Sequence, residues 1–479
     1  LVQVNDASNT GQIRYIRNAY IRQLDYVYWS SPVENFHIHS VSPATPASRI
    51  YQWNTTVTNS NASFGNWQLA NEIMIAGKGY IVRGPNGFTT TPQWFTATFT
   101  GRPHNGTIQF PIQRGNYTAG PFFGTNGVEV TNMDDNFNLI GNPYPSAISF
   151  DDFIDANPDL EGSIRVWTHG TPLSTANGNP FYGSFGYNYS SNDYIIHNKL
   201  GTISGPDTYD GYIPAGQGFF VLMTDGPAAT SMVTFTNDMR RTYKNDQFYR
   251  LANGVQNTEA IDKLWIDLVA PNGSASRTLI GYHPQATNER DRLFDAFLRL
   301  ENSNTIYSLI NGERFSIQGR APFSVHDIVP IGFRATTAGN YQIAIGFAVG
   351  RFNENQTVYL KDLNSNTFHN LSESPYLFFS AVGNFENRFE LWYINQTLGV
   401  NTHNTNDIRV ITNDKITVYS GREIINHIKI YDMQGRLLYQ TKEVSSNEKT
   451  LIDFMKINQT LLVSIGLDSG KEVHKKIIF

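Results

Sequence analysis

Apolar residues along this chain recur mainly in short runs of period two, and Gly, Pro and Asn cut the runs before they reach helical length, which predicts many short β-strands. The alternation is cleanest after about Leu251. There Leu264-Trp265-Ile266-Asp267-Leu268-Val269 and Tyr341-Gln342-Ile343-Ala344-Ile345 read as strands half exposed on one face, with turns such as Pro271-Asn272-Gly273 between them. One segment has helical spacing: Glu289 to Leu300 puts Leu293, Phe294, Phe297 and Leu300 on one stripe, so a helix is expected there, with a strand and a turn as the other reading. Alternation stops at Gln396 to Asp407, an Asn-rich polar stretch that reads as an exposed linker. It resumes at Ile408 to Ile411, Ile416 to Tyr419, Ile428 to Tyr431, Arg436 to Gln440, Leu461 to Ile465 and Val473 to Phe479, the strand count of a small Ig-like sandwich.

The first half carries a weak internal repeat built from two landmarks in the same order. Tyr26-Val27-Tyr28-Trp29-Ser30-Ser31-Pro32 corresponds to Asn138-Leu139-Ile140-Gly141-Asn142-Pro143-Tyr144, and Ala76-Gly77-Lys78-Gly79-Tyr80 to Ala215-Gly216-Gln217-Gly218-Phe219. In each glycine pair a residue free to take positive φ turns the chain into a buried strand. Duplication and a recurring turn idiom both account for the pattern. The second copy is longer between Trp167 and Tyr212, where GNPFYGSFGYNYSSN reads as a surface insert. Its Tyr182, Tyr187 and Tyr189 are hard to bury and are candidate glycan contacts, because aromatic rings stack on the apolar faces of sugars.

The expected organisation is therefore a β-rich module over 1–248 in two loosely repeated halves (about 1–130 and 131–248), a β-sandwich over 249–395, a linker over 396–407 and a terminal sandwich over 408–479. Composition agrees with all-β, several β-sandwich or jelly-roll-like domains: aromatics reach 13% and charged residues only 16%. A net charge of −5 over 479 residues makes no strong field, so nucleic acid is not an expected partner. With no cysteine there are no disulfides, thiolate metal ligands or cysteine nucleophiles. No run approaches the roughly eighteen apolar residues of a spanning helix, so no transmembrane segment is expected. The start, LVQVNDASNTGQ, is expected to be that of a processed or truncated product.

Catalytic signatures are missing from the sequence: it has no G-x-S-x-G elbow, no H-E-x-x-H and no phosphate-binding or dinucleotide glycine loop, and a non-enzyme is expected. Asp151, Asp152, Asp155 and Asp159 could supply the carboxylate pair of a glycosidase, or simply start a helix. His37 and His39 alternate on a strand and could form two-thirds of a zinc site, but no third ligand is near. Asn132-x-Asp134-x-Asn136-x-Asn138 has part of the spacing of a calcium loop without its glycine or closing glutamate. The expectation is no cofactor, with structural calcium left open.

The most specific string is Ile428-Lys429-Ile430-Tyr431-Asp432-Met433-Gln434-Gly435-Arg436-Leu437-Leu438, a hairpin in which Asp432 opens the turn and Gly435 takes its left-handed position. The last strand, Glu472-Val473-His474-Lys475-Lys476-Ile477-Ile478-Phe479, is basic and β-branched. Together they resemble the C-terminal sorting domain of type IX secretion cargo from Bacteroidetes. Ile457-Asn458-Gln459-Thr460-Leu461-Leu462-Val463 stands where the commonest variety has Gly-x-Tyr, so the match is closer to type C sorting signals. Phe315 to Phe323, Ile328 to Phe333, Val358 to Asp362, GNPYPSA from Gly141 and AGQGFFV from Ala215 also resemble parts of such surface proteins. The resemblance implies export across the outer membrane to the cell surface or medium, and recognition through Tyr431, Asp432, Gly435, Arg436, Lys475, Lys476, Ile477, Ile478 and Phe479. The implied partners are the type IX translocon barrel, a PorV-type shuttle protein and a surface signal peptidase cutting in the linker. An adhesin serving attachment or gliding, bound to an extracellular polysaccharide or surface, is the expected role. An extracellular polysaccharide hydrolase or carbohydrate-binding protein is the alternative.

Overall fold

The computed structural model describes residues 5–479 apart from 61, 116–119, 126, 128, 169, 171–192, 206–208, 246–260, 300–302, 396–407, 422, 469 and 471. The chain is all-β and divides into two compact units, Leu1–Ile394 and Asn395–Phe479. Among the described residues no helix is long and apolar enough to cross a membrane.

The larger unit opens with a sheet in the order Tyr26–Trp29, Tyr80–Arg83, Ile50–Thr58, Phe64–Leu69, beside a ribbon of Ile13–Ile21 and Gln93–Gly101. Their apolar faces enclose Ile21, Val27, Trp29, Val82 and Phe99. A second sheet follows in the order Phe137–Gly141, Gly218–Met223, Leu160–Trp167, Tyr194–Asn198, Gly201–Thr202, over a core of Ile140, Phe150, Phe153, Ile164 and Phe219. The two sequence landmarks pair with each other in both places: Trp29 lies opposite Tyr80 and Ile140 opposite Phe219. Each half also donates to the other. Ser30 N–H reaches Gly216 O at 2.8 Å and Gly141 N–H reaches Gly77 O at 3.0 Å, while Trp29 bridges Gln217 as Ile140 bridges Lys78. Tyr26 thus corresponds in space to Phe137, one residue from the sequence alignment. The exchange needs bare backbone, since a Cβ on Gly79 would stand 2.6 Å from Ile140 O.

An eleven-stranded sheet completes this unit, running from Thr367–Asn370 at one edge to Tyr376–Ser380 at the other. One face buries Leu264, Ile266, Leu268, Ile331, Phe333 and Phe389. The opposite face of Asp262–Val269 is half-exposed at Lys263, Asp267 and Val269, as its alternation predicts, but closed at Trp265. Trp265 is 1% exposed, packs with Ile196, Leu200 and Leu279, and donates from Nε1 to Thr202 O at 2.9 Å, because Tyr194–Thr202 lies over it.

The helix expected from 289 to 300 does not form. A turn over 292–294 leads into the short strand Ala296–Phe297, and Leu300 falls outside the described residues. Carboxylates capture the local N–H groups: Asp291 Oδ2 accepts from Thr287 N at 2.5 Å, Asp295 Oδ2 from Asp291 N at 2.5 Å, and Asp295 Oδ1 from Gly319 N at 2.8 Å. Phe294 and Phe297 are buried in the fold rather than along a helix stripe.

The terminal unit is a small β domain of two sheets. Arg409–Thr412, Ile416–Tyr419 and Glu448–Leu451 form one; Leu437–Ser446, Ile425–Asp432, Thr460–Leu467 and Glu472–Ile478 form the other, in that order. Ile416, Val418, Ile428, Ile430, Val463, Ile465 and Phe479 fill its core.

Candidate functional site

The hairpin of the terminal unit closes through its own side chains. Asp432 Oδ1 accepts from Gln434 N at 3.0 Å and Arg436 N at 2.9 Å, Arg436 Nε donates to Asp432 Oδ2 at 3.1 Å, and Gly435 has φ +83°. The Arg436 backbone N–H, then the Gln434 N–H and the Arg436 guanidinium, hold the Asp432 carboxyl below the usual carboxylate range. Register carries the hairpin to the last strand: Tyr431 lies opposite Leu462 and Leu462 opposite Lys476, while Asp432, Leu461 and Ile477 make the next row. One end of the four-stranded sheet therefore gathers Tyr431, Asp432, Lys476 and Ile477. Lys476 and Ile478 are exposed, Ile478 at 73%, and Lys475 and Ile477 are half-buried. Phe479 is 1% exposed, with its ring stacked on Phe454. Its side chain is core, while those of Arg436, Lys476 and Ile478 face solvent.

In the larger unit, the Ile50–Leu69 hairpin, the second sheet and the eleven-stranded sheet leave a cleft of about 390 Å³, a size typical of small-molecule sites. One wall is aromatic: Trp53, Trp67, Phe137 and Tyr194 are half-buried around the buried Phe220. Trp53 meets Trp67 edge to face at 4.9 Å and Phe220 at 5.2 Å, and its Nε1 donates to Phe137 O at 2.8 Å. Gly65, at φ +93°, makes this possible, since a Cβ there would stand 2.2 Å from the Trp53 ring. The facing wall is polar. Arg277 donates from Nε and Nη2 to the two oxygens of Asp267 at 2.5 and 2.7 Å and from Nη1 to Ser204 O at 2.8 Å. Asn66, Ser303 and Thr305 also line the cleft.

Residues 1–393 match a family described as a domain of unknown function, DUF8693. The chain belongs to the DUF8693 family. Residues 398–479 match a second domain of unknown function, DUF8694. No curated protein matches the chain. Among solved structures, a Salmonella alpha-2-macroglobulin reacted with methylamine aligns at 10% identity with a TM-score of 0.14, covering 97% of this chain and 33% of that one, a likeness too slight to carry any argument.

The other candidates are dispersed along the chain. Tyr182, Tyr187 and Tyr189 lie outside the described residues, as does the linker from Gln396 to Asp407. The acidic cluster starts a helix: Ser149 caps Phe150–Asp155, Asp152 pairs with Arg241, Asp155 pairs with Lys199 at 2.5 Å, and Asp159 accepts from the Ser231 hydroxyl. His37 and His39 are neighbours, their rings 5.2 Å apart, and His39 Nε2 lies 3.2 Å from Ala70 O. Along the calcium-like spacing the side chains diverge. Asn132 Nδ2 donates to Asp225 at 2.6 Å, Asp134 pairs with Arg299 at 3.1 Å, Asn136 Nδ2 donates to Met223 O at 2.7 Å, and Asn138 Nδ2 donates to Gln113 O at 2.7 Å. Among the described residues no three His, Asp or Glu side chains converge as a metal site.

Proposed function

We propose that this chain is a cell-surface protein exported by the type IX secretion system, with the DUF8694 unit as its export address and the DUF8693 unit as an adhesive, binding part. The observation that carries the export reading is the closed Asp432–Arg436 turn set in register with Lys476 and Ile477 at one sheet end. That arrangement gives a shuttle protein a rigid, basic and apolar feature to recognise, with Tyr431, Gly435, Arg436 and Ile478 beside it. Binding rather than catalysis is supported by the cleft. Among the described residues lining it Asp267 is the one carboxylate, and both its oxygens accept from Arg277, whereas glycoside hydrolysis uses two carboxylates in separate roles.

Export is tested in a type IX-competent host by deleting 407–479 and by fusing that segment to a periplasmic reporter. The deleted chain is expected to stay inside the cell and the fusion to reach the surface. Normal surface display of the deleted chain would overturn the proposal.

A further inference from the structure

The cleft of the larger unit divides its chemistry between its walls in a way that selects a class of ligand. A pyranose ring carries C–H groups on its faces and hydroxyls around its rim, so a site for it needs a flat apolar surface and, across from it, donors and acceptors held in fixed directions. Trp67 and Trp53 supply the surface. They are half-buried, so part of each ring is open, and they are braced by Phe220 and by the Trp53 Nε1 bond to Phe137 O. The Asp267–Arg277 pair supplies the other wall. Its two hydrogen bonds and the Arg277 bond to Ser204 O fix both groups before any ligand arrives, with side chains 17% and 25% exposed. A preorganised wall of this kind loses little side-chain freedom on binding. Each arginine of the lining is already engaged, Arg277 with Asp267, Arg299 with Asp134 behind the cleft, and Arg165 through Nη2 with Phe297 O at 2.6 Å. A carboxylate brought to this wall meets Asp267, a like-charge contact, beside an Arg277 whose Nε, Nη1 and Nη2 already donate to Asp267 and Ser204 O, while a neutral sugar meets one acceptor and one donor without that repulsion.

We infer that this cleft binds a neutral oligosaccharide, one sugar ring stacked on Trp67 and its hydroxyls bonded to Asp267 and Arg277. The inference rests on the reading of the DUF8693 unit as the binding part and adds the site and the ligand class to it.

The test is calorimetric titration of the full chain with neutral gluco-, xylo- and manno-oligosaccharides of three to six sugars, beside an oligogalacturonate and the apolar dye ANS. Binding of at least one neutral series is expected, weakened tenfold or more by Trp67→Ala and by Asp267→Asn, and unchanged by Trp94→Ala, whose ring is 58% exposed on the separate Gln93–Gly101 ribbon. Trp67→Phe keeps a stacking ring and is expected to lose less than Trp67→Ala, which guards against reading misfolding as lost binding. Absence of binding to every neutral series, tighter binding of oligogalacturonate, binding of the dye alone, or loss of sugar binding in Trp94→Ala with retention in Trp67→Ala would each overturn it. Surface display of the intact chain is scored separately, so a displayed protein that binds no sugar defeats the cleft and leaves export standing.

Discussion

Gly435→Ala isolates one physical effect in the terminal hairpin. Gly435 sits at φ +83°, and a Cβ added there would meet no atom within 4 Å, so the substitution creates no clash and removes no contact. Its whole cost is that of holding an L-residue in the left-handed region, about 1 kcal/mol. For a domain this small that lowers Tm by about 4–8 °C, and it moves a urea midpoint by about 0.5–1 M at a slope of 1–2 kcal/mol per molar. The chain allows a clean assay. All seven tryptophans lie in Leu1–Ile394 and none in Asn395–Phe479, so tryptophan fluorescence follows the larger unit while far-ultraviolet dichroism follows both. The dichroism transition of the terminal unit is expected to shift and the fluorescence transition to stay in place. Gly435→Asn, whose side chain tolerates the left-handed region, is expected to recover roughly half of the loss. An unshifted terminal transition, or an Asn variant no better than Ala, would refute the backbone argument and with it the turn geometry on which the export proposal stands.

Asp432 is held below the ordinary carboxylate range by the turn, so its contribution is present above that range and is lost as pH falls through it; an acid titration of the terminal unit is expected to flatten in Asp432→Asn. Burial pushes the Asp295 carboxyl up to about 7 despite the backbone N–H groups it accepts. The folded chain then holds that proton more tightly than the unfolded one, and the larger unit is expected to lose up to about 4 kcal/mol as pH rises from the ordinary carboxylate range to about 7, a slope that should vanish in Asp295→Asn and whose persistence there would reject the assignment. In Gly162→Ala the new Cβ would stand 1.8 Å from Arg292 O and 2.7 Å from Leu293 Cα, so the 292–294 turn must retreat. A loss of about 3 kcal/mol in the fluorescence-detected transition is expected, and an unchanged transition would show that the turn does not rest on this strand.

What could be read from the sequence was what neighbours in the chain decide. The period-two runs became strands because each strand needs only its own alternation and a turn at either end, and Gly77 and Gly216 sit at φ +82° and +71° as their pairing with buried strands required. The 289–300 segment failed for the same reason in reverse. Its apolar spacing suits a helix, but the Asp295 carboxylate accepts from the Asp291 N–H on one oxygen and from the N–H of Gly319, twenty-four residues away, on the other, and that distant partner fixes the outcome. The strand Glu448–Leu451 went unseen because Glu448 and Lys449 break the apolar alternation, and only its pairing with Ile416–Tyr419 makes it a strand. Trp265 illustrates the limit on burial. Alternation says which residues share a face, but not whether another part of the chain covers that face.

The two candidate sites differ in legibility on the same principle. Every group that closes the terminal hairpin lies between Asp432 and Arg436, so the chemistry of the turn is written in five consecutive residues. The cleft draws Trp53 and Trp67 from one hairpin, Phe220 from the second sheet, and Asp267 with Arg277 from the eleven-stranded sheet. No spacing connects them. One local signal did exist: Gly65 interrupts the short run between Trp53 and Trp67, and a glycine inside a strand pattern marks close approach by another group, here the Trp53 ring. Gly65→Ala should therefore disturb the cleft without touching its polar wall. Tryptophan emission would shift as Trp53 is displaced and sugar binding would fall, while the Asp267–Arg277 pair stayed in place. If emission and binding were both unchanged, the ring would not depend on that bare backbone, and the aromatic wall would have to be held by Phe220 and Phe137 alone.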